Sequence, residues 1–216
     1  VNTAFNSLQM WDGRKKTLEE QAMGPMEASV EMNMDTQKLF RWLNGHEGYR
    51  ALFQQAYPGK PIDSDTVSKA IASFERTVVS GAAPFDQWVA GKRDAMTPDQ
   101  IKGFALFIDP AKGNCAACHE GPNFTDNSFH NLGLASFGKP TPDMGRYAQR
   151  PVASLKGAFK TPTVREAANT APYFHDGSAG TLDDVMAFYV KGGEVKTNLS
   201  KSMKALTLSK QESAQI

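Results

Sequence analysis

Apolar residues recur at three- and four-residue spacing in three stretches of the chain. After Asp65-Thr66, the residues Val67, Ala70, Ile71, Phe74 and Val78 fall on one stripe of a helix, and Gly81 supplies a stop. Thr97-Pro98 has the residue types of an N-cap and first helical position, with Ile101, Phe104, Ala105 and Ile108 following on one face and an end near Asp109-Pro110. A third helix starts at Thr181, where Asp183 and Asp184 suit the positive end of a helix dipole, and ends at Gly192-Gly193. Leu206 to Ile216 reads as a further helix, cut short. The alternation of period two that marks a strand is weak everywhere, so the pattern predicts a mainly α fold.

Between these helices the pattern breaks down. From Gly121 to about Thr181 the chain is crowded with Gly, Pro, Asn and Asp, far beyond the usual length of a connection. Something other than regular structure must order it. There is no internal repeat and no low-complexity tract. The break in character lies near Ala95, which predicts two domains, a helical one over 1–95 and a loop-rich one over 96–216.

Composition narrows the function classes. Among 216 residues, 24 Lys+Arg face 23 Asp+Glu for a net charge of +1, so no sequence-wide field would attract nucleic acid or anionic lipid. The longest apolar patch, Phe104 to Ile108, is too short for a membrane span. The first residues carry no basic segment followed by an apolar one, so a secretory signal is expected upstream or removed. The only two cysteines stand three apart, which is not a disulfide framework.

Cys115-Ala116-Ala117-Cys118-His119 is the C-x-x-C-H pattern of covalent c-type haem attachment. Two thiols about one turn apart can reach the two vinyl groups of one porphyrin, and the adjacent imidazole can ligate the iron. A haem also supplies a large apolar body on which long loops can pack. Two other readings use the same residues. A thioredoxin-like dithiol would want a preceding strand, where the pattern gives a helix. A zinc site on Cys115, Cys118 and two of His46, His130 and His175 would need a tight second ligand pair, and these histidines are scattered.

Further blocks extend the pattern: Gln9-Met10-Trp11-Asp12-Gly13-Arg14, Leu18-Glu19-Glu20-Gln21-Ala22, Gly24-Pro25, Val30-Glu31-Met32, Phe129-His130-Asn131-Leu132-Gly133, Phe159-Lys160-Thr161-Pro162-Thr163 and Ala171-Pro172-Tyr173-Phe174-His175-Asp176-Gly177. In this order, with the haem motif, they make the chain similar to the bacterial dihaem cytochrome c peroxidases and the MauG-type dihaem enzymes. The resemblance implies two cytochrome c-like helical domains with long loops packed around c-type haem. It implies two haems in the full protein, an N-terminal one where peroxide reacts and a C-terminal one that handles electrons. The single motif here corresponds to the second, so the first is expected upstream of Val1, and residues 1–95 are the remainder of its domain.

Roles follow from the same resemblance. Gln21 and Glu31 match the polar pair over the peroxide face of the first haem, with Glu31 moving a proton, and Pro25 would crowd that pocket and keep the iron's sixth position from filling. On residues alone Glu31 is one acid of a solvated run, Glu27 to Glu31. Trp11 matches the tryptophan placed between the haems as an electron relay; on sequence alone a Trp before Asp-Gly is a core or turn anchor. Thr170 and Pro172 match carbonyl ligands of a calcium ion, whose third ligand would precede Val1 and is not Asn2. Arg146 and Arg165 are candidates for haem propionates, or surface arginines.

His119 is the expected proximal ligand. Peroxidases of the family carry a methionine fourteen residues after the His of the Tyr-Phe-His-Asp-Gly block, and fourteen after His175 is Tyr189. Tyrosine there is the MauG-type arrangement, and a phenolate favours oxidised iron and a low potential. Met186 and Met144 are the alternatives; Phe188-Tyr189 can also be read as a packed aromatic pair. His130 and His175 read as hydrogen-bonded structural residues and His46 as an exposed loop histidine.

The resemblance implies a periplasmic enzyme that reduces hydrogen peroxide with electrons from a small cytochrome c or copper protein. Its alternatives are a MauG-like enzyme oxidising residues of a partner protein through a His/Tyr haem, and a single-haem electron carrier. No nucleic acid or membrane span is expected, and family members are often homodimers.

Overall fold

The computed structural model describes residues 1–216 and contains nine α-helices, short 3₁₀ turns and one two-stranded ribbon. No helix is long and apolar enough to cross a membrane. The chain forms two compact units, Val1–Met10 with Lys15–Val79, and Trp11–Arg14 with Ser80–Ile216.

The first unit holds α1 (Leu18–Glu27), α2 (Thr36–Gly45), α3 (Glu47–Ala56) and α4 (Ser64–Glu75). Three of the four starts are fixed by a side-chain cap. Thr17 accepts from the Glu20 N–H, Asp35 from Lys38 and Asp63 from Thr66, and Thr66 closes a reciprocal capping box. The core joins Met23, Phe40, Leu43, Ile62 and Val67, with Met26, Leu39, Phe53 and Ile71 packed around them. Ala72 on α4 is fully buried where α1 lies against that helix. The helix stops at Glu75 and does not run to Gly81. The Thr77 hydroxyl and N–H both donate to the Phe74 carbonyl, at 2.7 and 2.8 Å, and turn the chain before Val78. Phe74, placed on the buried stripe by the periodicity, is 68% exposed.

The second unit contains α5 (Pro84–Val89), α6 (Pro98–Ile108), α7 (Arg146–Gln149), α8 (Leu182–Lys191) and α9 (Lys210–Gln215). The compact units part at Val79–Ser80, ahead of Ala95, because α5 packs against α6 and the loop beyond the cysteines: Phe85 meets Phe104 at 4.9 Å and Phe124 at 5.1 Å between ring centroids. Thr97 and Gln100 form the capping box that opens α6, and Thr181 and Asp184 the one that opens α8. Gly192 closes α8 in the left-handed conformation, φ 71°. The last helix begins at Lys210, four residues after Leu206, because the Leu206 N–H donates to the Val190 carbonyl and Ser209 then caps Glu212. Strands β1 (Phe129–His130) and β2 (Phe159–Lys160) pair antiparallel. They are too short to leave a period-two signal.

The long irregular segment is ordered by polar groups. Asn131 is 1% exposed and uses both ends of its side chain: its N–H donates to the Ser200 hydroxyl, its side-chain amide to the Lys156 carbonyl, and its side-chain oxygen accepts from the Gly133 N–H. Its carbonyl accepts from the Ser200 N–H. Gly133, at φ 74°, lies so close to the Val195 carbonyl that a Cβ would collide with it. Asn131→Ala strands the Gly133 donor in a buried place, while the Lys156 carbonyl keeps the Asn198 side-chain amide, and should cost about 2 kcal/mol in a urea titration. A loss below about 0.5 kcal/mol would show that the segment is ordered otherwise.

Candidate haem site

Asn114, in the left-handed region at φ 50°, turns the end of α6 into a single 3₁₀ turn, Cys115–Ala117. The His119 N–H donates to the Cys115 carbonyl at 2.8 Å, so both sulfurs and the imidazole issue from one turn of chain. The thiols are not bonded to each other. Burial pushes each of them up to about 11, so both are protonated at neutral pH.

His119 Nδ1 lies 3.1 Å from the Phe124 carbonyl. A carbonyl can only accept, so Nδ1 carries the hydrogen and Nε2 keeps a lone pair. Burial lowers the imidazole's pKa and keeps the ring neutral; the Phe124 and Pro162 carbonyls and Asp126 oppose this only in part. Aromatic rings wall the turn: Phe107 lies 6.5 Å from His119 and 6.4 Å from Phe124.

Tyr189 projects from α8 toward the same turn. Its phenol is driven upward by burial, and further by its proximity to both Cys115 and Cys118. Phe174, at φ 65°, packs against Phe188 at 4.8 Å and Tyr189 at 6.2 Å and so joins the Tyr-Phe-His-Asp-Gly block to α8. Met186 lies three residues before Tyr189 on that helix, and Met144 sits in the loop where its carbonyl accepts from the Gly157 N–H. The fold thus sets Cys115, Cys118 and His119 on one turn, with Tyr189 within electrostatic reach of both cysteines.

The sequence profile described as di-haem cytochrome c peroxidase matches residues 1–94. The methylamine utilization protein MauG of Methylophilus methylotrophus is 44% identical over all of this chain and 64% of its own length. The cytochrome c551 peroxidase of Pseudomonas aeruginosa is 37% identical over 86% of this chain and 55% of its own. A crystal structure of a MauG-like protein associated with microbial copper homeostasis superposes with a TM-score of 0.87 at 26% identity, over 97% of this chain and 69% of the other. Over residues 1–94 the chain matches the di-haem cytochrome c peroxidase family, and along its length it is similar to MauG proteins and bacterial cytochrome c peroxidases. It spans 64% of the length of the first MauG relative and 59% of a second, from Methylorubrum extorquens.

Haem c is the cofactor this family implies, and the residues fit it. Two protonated thiols outside any disulfide can add to vinyl groups, a neutral imidazole offers Nε2, and the surrounding wall is aromatic.

In the first unit, Gln21 and Pro25 are one turn apart on α1 and share a face. Glu31 is exposed in the turn that follows, which is tied back to the helix by Met32 N–H to Pro25 carbonyl and Met34 N–H to Met26 carbonyl, at 3.2 and 2.7 Å. Val30, at 91% exposure, and Met32, at 64%, flank it. Trp11 is 42% exposed, and its carbonyl accepts from the Lys160 N–H at 2.8 Å. Thr170 and Pro172 are exposed on either side of Ala171, whose bond to Pro172 is cis. His175 stacks on Phe159 with centroids 3.4 Å apart, and His46 sits against Trp42 at 4.1 Å.

The arginines have protein partners. Arg146 Nη1 donates to the carbonyls of Asp12 and Gly13, and its guanidinium lies over the Phe129 ring. Arg165 makes a two-pronged pair with Asp86 at 2.7 and 2.9 Å, and its Nε donates to the Pro122 carbonyl.

Asp126, which stands in none of the blocks, accepts from His130 at 2.7 Å, and with Cys118 these groups lie within 4.8 Å of one another. Lys160, which stands in the Phe159-to-Thr163 block without a role of its own, is buried on β2.

The Arg165 guanidinium holds the Asp86 carboxyl down at about 2. A carboxylate whose pKa is depressed on folding stabilises the protein above its unfolded pKa, about 4, and loses that contribution as pH falls through its folded value. Asp86→Asn should therefore be less stable than the natural protein at pH 6, with the gap shrinking between about pH 4 and 2. Denaturation midpoints measured across that range test this; a gap that does not change with pH contradicts it.

Proposed function

We propose that this chain is part of a periplasmic dihaem oxidoreductase driven by hydrogen peroxide, of the MauG-like kind that oxidises residues of a partner protein. The observation that supports the reading is Tyr189, within electrostatic reach of the two haem-attachment cysteines and at the position where the peroxidases of the family keep a methionine. When bound, haem supplies the redox chemistry, and an anionic oxygen ligand holds its iron oxidised. Cys115 and Cys118 would anchor it, and His119 through Nε2 and Tyr189 through its phenol oxygen would be the residues that hold its iron. The Tyr189 phenol would have to give up its proton to serve as a ligand, which the charge of a bound ferric iron would favour.

The other assignments rest on the family. Glu31 moves a proton at the peroxide face of the other haem, Gln21 hydrogen-bonds there, and Pro25 restricts the pocket. Trp11 relays electrons, and the carbonyls of Thr170 and Pro172 serve calcium, a hard cation that takes oxygen donors. The chain holds one C-x-x-C-H, so the second haem of a dihaem protein is bound by residues outside it. Covalent haem attachment of this type takes place outside the bacterial cytoplasm, which supports the periplasmic location. A homodimer is the family analogue.

A second reading, a peroxide-reducing enzyme fed by a small cytochrome c or copper protein, draws on the likeness to the Pseudomonas aeruginosa peroxidase. It needs Met186 or Met144 as the sixth ligand.

Replacing Tyr189 with Met in the haem-loaded full-length protein should raise the potential of the haem on Cys115 and Cys118 and change its ferric spectrum. An unchanged potential and spectrum would remove Tyr189 from the ligand sphere. One equivalent of peroxide added to the fully oxidised protein without a donor should alter the haem spectrum under the MauG-like reading. A requirement for prior reduction of one haem would favour the peroxidase, and a count of one haem per full-length protein would leave a single-haem carrier.

A further inference from the structure

Three donor groups of different chemistry meet beside the haem motif. The Cys118 sulfur, a carboxylate oxygen of Asp126 and a ring nitrogen of His130 all lie within 4.8 Å of one another, and all three residues are half-buried. The gathering has local causes. The Asp126 N–H donates to the Cys118 carbonyl at 2.8 Å, which folds the loop back onto the turn. One carboxylate oxygen of Asp126 accepts from the Ser128 N–H at 2.8 Å, and the other lies 2.7 Å from His130 Nε2. His130 is held on β1 by its pairing with Phe159. The Ser202 hydroxyl, from the far end of the chain, hydrogen-bonds to the Cys118 sulfur.

Sulfur, imidazole nitrogen and carboxylate oxygen are the donors that zinc takes, and with bonds of about 2.0 to 2.3 Å two ligands of a tetrahedral zinc stand roughly 3.3 to 3.8 Å apart. A closure of about 1 Å from the observed limit brings the trio to that spacing, and water completes the four. The set is too soft for calcium or magnesium, which take oxygen. The histidines are scattered in the sequence, but the fold brings one of them, His130, to Cys118, with Asp126 as the further donor; His175 is stacked on Phe159 instead. We infer that before haem is attached the protein binds one divalent cation of the zinc type through Cys118, Asp126 and His130. Binding breaks the Cys118 S–H bond, a metal–sulfur bond forms, and the proton passes to solvent. Haem and this cation exclude each other, because addition to a vinyl group turns the Cys118 sulfur into a thioether, which is no anionic ligand. That exclusion rests on the haem reading, and the metal site does not.

Full-length protein produced without a haem assembly system is titrated with cobalt(II), whose thiolate charge-transfer band reports sulfur ligation, and the cobalt is then displaced with zinc. One equivalent should bind, with the band of a single thiolate. Asp126→Asn and His130→Gln should each weaken binding by at least about tenfold. No binding, a band from two thiolates as a site on Cys115 and Cys118 would give, or an affinity that neither variant changes would each overturn the assignment. Should the variants fail to fold, X-ray absorption of the natural protein loaded with zinc decides: one sulfur among four ligands supports the site, and two sulfurs overturn it. In haem-loaded protein the thiolate band should be absent and cobalt binding weaker by at least about tenfold; equal affinity would overturn the exclusion. A matured protein without haem on the motif would defeat the functional reading and leave the metal site standing.

Discussion

A histidine that gives one ring nitrogen to iron must place the other within the protein, and in this chain the Phe124 carbonyl meets that demand. His119 Nδ1 donates to Phe124 at 3.1 Å, which leaves Nε2 with its lone pair and fixes the plane of the ring. The neighbourhood is arranged around that bond. Phe124 is held by the rings of Phe85 and Phe107, so α5 and α6 are joined to the site through it. Thr125, one residue on, ties the same loop to Thr161 and hence to the ribbon. The neutral ring also requires a dry setting, which the aromatic wall provides.

The parts of the fold legible in the sequence are those with local chemistry. The α6 and α8 helices open at Thr97 and Thr181, where their caps announced them, because a capping box is written in four consecutive residues. The stripe from Val67 overshot, since the turn at Thr77 depends on one hydroxyl reaching back to Phe74. The helices α2 and α3 left little mark, as much of their apolar surface, including Trp42 and Leu52, is exposed. Asn131 was part of a recognisable block, but its bonds to Lys156 and Ser200 span 25 and 69 residues, and no local pattern encodes them.

The site shows the same division. C-x-x-C-H pointed to the chemistry, and the family's ligand position, fourteen residues after His175, pointed to Tyr189, which stands on the helix that Phe174 packs against and within electrostatic reach of the cysteines. Sequence could not show that Arg165 spends its fork on Asp86, 79 residues away. The residues that decide electrostatics at this site are those whose partners come from distant segments.

The function proposed for this chain depends on Cys115, Cys118 and His119 forming a haem-bearing turn. The most direct test is the mass of the proteolytic peptide containing Cys115 to His119, taken from protein matured with a c-type haem assembly system. The expected result is one haem bound covalently through both sulfurs, with a ferrous spectrum typical of two thioether links. A peptide with two free thiols, in protein that is folded and otherwise intact, would contradict it.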